Sequence, residues 1–333
     1  MSTALLVGAG ATGARAARQL VDTDGLDRLL VADRDPDRAR SLAAAIGSVA
    51  STVPLDEPFP DGVDVVALAI PARIGAAVAE RAVDAGVPVA AIADERDGIA
   101  ALLGLDAAAR AAGVMVLVGC GLVPGLGDVL ARHAADSLDS ADEVHVARVG
   151  AAGPACLSAL RRARREPPIE WLDGTWHTPE RRGHELVWFP DPIGARECEV
   201  VAPGVELLRD SLPELRRASV QVGEVPVRRA SVSLLTRRPL DDGWGGARIE
   251  VWGWRGRTRE TVVYGVIERP AVAAGTVLAV SAACLAGLLP PAALRVEPVG
   301  ARALGAVVDP AAFLGELAHR GVKAAVFEGV AVA

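Results

Sequence analysis

Aromatic residues are scarce in this chain. Phe, Trp and Tyr make up 3% of the 333 residues, whereas hydrophobic residues as a whole make up 51%. The core must therefore be built from Ala, Val and Leu, with small side chains and close backbone contacts. Cysteine is also sparse. Cys120, Cys156, Cys198 and Cys284 are scattered without a C-x-x-C pair, so neither a disulfide framework nor a zinc site is indicated, and no metal is expected. Such usage fits a reducing cytoplasm. No basic stripe is present and the formal net charge is −7, which argues against a nucleic-acid partner. Arginines cluster between Arg161 and Arg165, but Glu166 and two prolines end the run, and a solvated helix face is expected there. No basic segment precedes the first apolar run, so a signal peptide is not expected. The stretch from Ala271 to Leu289 lacks charge and nears the ~20 residues that span a bilayer. It is Ala-rich and holds Thr276, Ser281 and two glycines, so a buried helix is expected and no membrane partner.

What is present begins at residue 4. The apolar run Ala4 to Val7 leads into Gly8-Ala9-Gly10-Ala11-Thr12-Gly13, then a helix-like segment, then a second apolar run that stops at Asp33. Gly8 permits a tight turn after the strand. Gly10 lets backbone approach a pyrophosphate, and Gly13 lets helix and strand pack closely. The helix then starts with free N–H groups and a partial positive charge. Asp33 lies 20 residues past Gly13, where a carboxylate bonds a ribose 2′-hydroxyl. The pattern predicts a dinucleotide-binding βαβ unit. Gly8, Gly10, Ala11, Thr12, Gly13, Asp33 and Arg34 are candidate cofactor contacts, with Ala69, Ile70 and Pro71 at a later strand end. The cofactor is NAD or NADP. Asp33 favours NAD, whereas Arg34 could clasp the NADP phosphate or simply be solvated.

The first third alternates strand and helix signals. Asp35 reads as an N-cap, with Pro36 at the first helical position and Gly47 past the end. Val63 to Ile70, Val87 to Ile92 and Val114 to Val118 are nearly continuous apolar runs, as strands covered on both faces should be. Helices are predicted over 72–85, 97–112 and 126–136. This alternation predicts an α/β fold with a parallel sheet, whose strand ends at Gly8, Ile70, Asp94 and Gly119 face one crevice. Beyond Asp136 the texture changes. A strand over 143–149 and a helix over 151–165 are followed by strands at 219–222, 231–235, 248–254 and 261–267, the last two a hairpin around Gly256. This reads as a second, α+β domain on a largely antiparallel sheet. The end holds a helix and a short strand expected to return to the first domain.

The chain resembles the saccharopine dehydrogenase-like oxidoreductases. VGAGATG with VADRD, GCGLVPGLGDVLA over 119–131, WLDGTW over 171–176 with WFPDPIGARE over 188–197, and YGVIERPAVAAGTVLAVSAACLAGLL followed by DPAAFLGELAHRGV carry the likeness over almost the whole length. The resemblance implies an N-terminal Rossmann domain, doubly wound, over 1–122 and completed by 300–333. It also implies a substrate-binding and dimerisation domain over 123–299, and a homodimer. One departure is Val123, where the family's GLDPG-type segment has Asp; its loss removes a carboxylate that could pair with a substrate amine.

Members of that family interconvert a secondary amine and an imine with a nicotinamide, so hydride transfer at a C–N bond of an amino-acid-like small molecule is the first expectation. The second is a C=C or C=O reductase of a lipid-like or secondary-metabolite substrate; an apolar pocket would favour it, and two convergent arginines the first. The third is an NAD(P)-sensing module without turnover. Candidate catalytic groups are Asp94, Asp128 and His177. Asp94 ends a strand and is either an acid at the reacting nitrogen or an N-cap. Asp128 either faces substrate or answers a helix dipole. His177 titrates near neutral pH or is an exposed loop histidine. Candidate substrate contacts are Cys120, Gly121, Val123, Pro124 and Gly125, with Arg148 as a carboxylate fork and Trp176 as a pocket wall.

Overall fold

The computed structural model describes residues 2–180, 182–223, 243–290, 293–296 and 299–327. Strands and helices are numbered along the chain. Seven strands form an all-parallel sheet: β1 (Ser2–Val7), β2 (Leu26–Ala32), β3 (Ala50–Thr52), β4 (Val65–Leu68), β5 (Val89–Ala91), β6 (Met115–Val118) and β15 (Gly300–Ala303). Their order is β15-β6-β5-β4-β1-β2-β3, so the direction of winding reverses between β1 and β4. Helices cover both faces. Helices α1 (Ala11–Val21), α2 (Pro36–Ile46) and α9 (Pro270–Leu285) bury their apolar residues on one side; α3 (Ala72–Asp84), α4 (Arg96–Leu103) and α5 (Asp106–Ala112) do so on the other. That double cover explains why the strands read as unbroken apolar runs.

Local chemistry sets several boundaries as the sequence implies. Asp35 accepts from the amides of Asp37 and Arg38, Pro36 opens α2, and Gly47 closes it at φ +104°. The helix expected over 97–112 is instead two. Gly104 and Leu105 interrupt it, and Asp106 starts α5, where its carboxylate accepts from the Ala301 amide at 2.9 Å and binds Arg110. The break lets α5 tie down the edge strand β15.

The second sheet holds nine strands among the described residues. Its main path runs β10 (His184–Phe189), β11 (Gly194–Val201), β12 (Arg217–Gly223), β7 (Ser140–Val149), β13 (Gly245–Arg255), β14 (Thr258–Glu268) and β16 (Ala324–Phe327), with β8 (Glu170–Leu172) and β9 (Thr175–His177) beside β12. Pairing is antiparallel except between β12 and β7. The β13–β14 hairpin turns at Gly256, with φ +58°. Helices α6 (Leu126–Asp136), α7 (Pro154–Ala163), α8 (Val205–Ser211), α10 (Leu304–Val307) and α11 (Pro310–His319) complete the chain. The strand expected over 231–235 lies outside the described residues.

The final strand corrects one expectation. β15 joins the parallel sheet, but β16 pairs antiparallel with β14 instead of returning to the first domain. The open edge of β14 offers unpaired backbone groups there, and β16 satisfies them. The uncharged stretch from residue 271 is the buried helix α9, and among the described residues no helix is long and apolar enough to cross a membrane. Gly275 of α9 meets α1 so closely that a Cβ would fall 2.8 Å from the Thr12 carbonyl oxygen and 2.9 Å from the Ala16 nitrogen.

Candidate active site

The ends of β1, β4, β5 and β6 open into one cleft at the reversal point of the parallel sheet. Thr12 of α1, the segments 69–71 and 92–94, and the loop 121–124 form one wall; Arg148 of β7, the start of α7 and the start of α9 form the other. Ligands in sheets of this type sit beyond the strand ends at such a reversal.

The glycine-rich turn shows its three roles separately. Gly8 has φ +106°, and a Cβ there would meet the Ala69 carbonyl oxygen at 2.6 Å. At Gly13 a Cβ would lie 1.8 Å from the Gly8 carbonyl oxygen. At Gly10 it would meet nothing within 4 Å. Two of the glycines are therefore required by the chain's own packing, and the third leaves open space. Helix α1 begins at Ala11 with no side-chain cap and no acidic residue in its first turn, so its amides and positive dipole end are left for an anion. Asp33 accepts the Ala9 amide at 2.7 Å and the Asp35 amide at 2.9 Å. It thus pins the glycine turn to the end of β2, and each oxygen keeps a further lone pair for a hydroxyl. Arg34 is exposed.

Asp94 lines the cleft. It does not cap the following helix: Glu95 occupies the N-cap position of α4, without a side-chain cap bond. Burial pushes the Asp94 carboxyl up to about 6, against the opposing pull of the Arg148 charge. Arg148 is 6% exposed. Its Nη1 donates to the Val123 carbonyl at 2.6 Å, and its Nη2 to the Gly150 carbonyl and the Cys156 sulfur, each at 3.4 Å; Nε has no partner. Both terminal nitrogens thus touch the protein, and a carboxylate gripped by Arg148 would compete with these contacts.

The remaining candidates divide. Gly121, Val123 and Pro124 line the cleft, as do Ala69, Ile70 and Pro71. Cys120 and Gly125 do not. Cys120 is fully buried and donates to the Leu117 carbonyl. Gly125 folds the loop against itself, for a Cβ there would lie 2.3 Å from the carbonyl oxygens of both Gly119 and Gly121. Gly121 and Gly125 answer to the loop's own backbone, whereas a Cβ at Gly119 would meet the Leu207 side chain at 2.7 Å. Asp128 is buried behind it, accepting the Gly125 amide at 2.9 Å, and burial pushes its carboxyl up to about 8.

Trp176 and His177 are placed outside the cleft. Asp173 and Gly174, at φ +48° and +85°, make the two-residue turn of the β8–β9 hairpin. Trp176 stacks edge-on with Trp171 at 5.0 Å, and His177 Nδ1 faces Glu170 at 3.9 Å. The strand alternation that puts Trp171 in the core leaves His177 exposed.

Sequence reasoning missed Glu95. It is 8% exposed and binds Arg162 of α7 at 2.7 Å and Arg73 of α3 at 3.5 Å. Arg161 and Arg165 of the arginine cluster are exposed, as the expected solvated face, but Arg162 reaches across to Glu95, and Arg164 reaches Glu199 at 2.7 Å. Ala152, Ala155, Cys156 and Ala274 were also missed as cleft residues; small side chains give no signal of their own.

A parallel sheet bearing a glycine turn, joined over a cleft to an open mixed sheet, defines a two-lobed fold built on a Rossmann-like sheet. The family model described as shikimate / quinate 5-dehydrogenase matches residues 1–75. Over the whole chain, saccharopine dehydrogenase (L-Glu forming) from Saccharomyces cerevisiae is similar at 14% identity and a TM-score of 0.69, covering 98% of this chain and 100% of that one. The DAP dehydrogenase of C. glutamicum, in complex with DAP, aligns at 15% identity and a TM-score of 0.52, covering 96% and 98%. A probable dehydrogenase from Thermotoga maritima aligns at 12% and 0.50, covering 97% and 98%. The resemblance to saccharopine dehydrogenase-like proteins holds at the level of the whole fold.

Proposed function

We propose that the chain is an NAD(P)-dependent oxidoreductase that transfers hydride to or from a small, largely uncharged carbonyl, enone or imine. The supporting observation is the reserved space at Gly10 in front of an uncapped, acid-free helix start, beside a cleft that contains one protonatable carboxyl. The diphosphate is held by the amides of Ala11 and Thr12, and Asp33 takes the ribose, which favours NADH over NADPH. The parallel sheet with the helices on its two faces, α9 among them, forms the nucleotide lobe, and the second sheet with its helices the substrate lobe.

When bound, the nicotinamide supplies the hydride. The chain's own part is orientation, exclusion of water and the proton. Ile70, Ile92, Leu122 and Val123 give the cleft apolar walls. Asp94 delivers the proton to the oxygen or nitrogen that gains electron density, and the neighbouring Arg148 charge stabilises the carboxylate left behind. The apolar lining and the engaged Arg148 fork favour a neutral substrate. The amino-acid-like C–N substrate keeps one point of support, the half-buried Asp94 carboxyl in the cleft, with which an amine could pair.

A panel assay tests this. NADH and NADPH oxidation is measured with neutral carbonyls, enones and imines, and with imines of amino acids and keto acids. Preference for zwitterionic substrates overturns the neutral reading, and no turnover with any of them overturns the oxidoreductase. Asp94 is protonated below about 6, so the reductive kcat/KM falls as pH rises through that value. Asp94→Asn loses this limb and about 10²–10⁴-fold in rate.

A further inference from the structure

Three of the four cysteines are sealed. Cys120, Cys198 and Cys284 are buried, and burial pushes each thiol up to about 12. Cys156 differs. It is the third residue of α7, is partly exposed, and lines the cleft. The Arg148 guanidinium donates to its sulfur at 3.4 Å. Arg148 lines the same cleft, is more than nine-tenths buried, and keeps an Nε with no partner, so a buried cation with an unused donor stands beside the thiol. Gly153, the N-cap of α7, contributes no side chain to the helix start. The thiolate is the attacking form of cysteine, and a thiol that reaches the cleft can meet a reagent that the three sealed thiols cannot.

We infer that Cys156 is a thiol-modification site within the cleft, and that its reagents are low-molecular-weight disulfides. The Cys156 sulfur attacks one sulfur of the disulfide and the S–S bond breaks. The other half leaves as a thiolate that takes a proton from water. Cys156 is thereby oxidised to a mixed disulfide and half of the reagent is reduced; a second thiol reverses the exchange. The adduct occupies space in the cleft that the substrate needs. This consequence rests on the proposed function, but the modification itself does not.

The test treats the native full chain with glutathione disulfide and reads intact mass and peptide maps. The expected result is one adduct, on Cys156, removed by dithiothreitol. The other three thiols should react only after unfolding, and Cys156→Ser should gain no adduct. Turnover of the modified protein falls about tenfold or more, because substrate is displaced from its reacting position. Cys156→Ser, whatever its own rate, keeps that rate after treatment. No adduct, or equal reaction at the sealed cysteines, overturns the inference. If no substrate is ever turned over, the proposed function fails while the mass result still decides this one.

Discussion

Among single residues, the glycine turn separates folding from binding. Ala at position 13 would drive a Cβ into the Gly8 carbonyl, so Gly13→Ala should lose about 1–3 kcal/mol or fail to fold. Ala at position 10 meets no protein atom, and Gly10 has an ordinary extended backbone, φ −78° and ψ −169°. Gly10→Ala should keep or slightly raise the melting temperature, yet weaken NADH binding about tenfold or more by occupying the space reserved for the diphosphate. Calorimetry and thermal melts on the pair check both statements; tight NADH binding by Gly10→Ala would remove the diphosphate from that spot. Asp128 makes a separate claim. Its folded carboxyl stays protonated to about 8, far above its ordinary value of 3.8, so the folded state binds the extra proton and stability falls as pH rises between those values. Asp128→Asn keeps an acceptor for the Gly125 amide and does not titrate. The melting difference, variant minus parent, should therefore grow between about pH 5 and about pH 8. A constant difference would show that Asp128 is ionised in the fold.

Between elements, the contact of α1 with α9 carries the most weight. α1 presents its amino end to the proposed diphosphate site, and α9 lies across it with Gly275 against the backbone of Thr12 and Ala16. The atoms in the way are mostly backbone, so they cannot rotate aside. Gly275→Ala should cost about 1–3 kcal/mol by urea denaturation and also weaken NADH binding, because α1 must move. An unaltered denaturation midpoint would refute the tight contact. Helix α7 is fastened differently. Its Arg162 reaches Glu95, next to the proposed proton donor, so the wall bearing Cys156 is tied to the floor bearing Asp94. None of this could be read from the arginine run itself, where a solvated face and an inter-element pair look alike.

Across the whole molecule, one apolar cluster joins the two sheets. It takes in Ala4 and Leu6 of β1, Val277 and Leu278 of α9, and Val146 and Ile249 of the second sheet. Because the lobes share this core, thermal unfolding should show a single transition, equal by calorimetry and by spectroscopy. Two separated transitions would mean that the lobes fold independently.

The sequence by itself determined the parallel sheet and its glycine turn, because these depend on short-range spacing and on glycine's lack of a Cβ. It also announced the strand ends, since strands covered on both faces read as unbroken apolar runs. Only the tertiary structure decided which candidates meet. Asp94, Arg148 and Cys156 come from three separate elements, and the Asp173-Gly174 turn carries His177 away from them. It also sent β16 to the second sheet. These outcomes depend on which backbone edges remain unpaired and which side chains cross between layers. Both are long-range properties that no local pattern encodes.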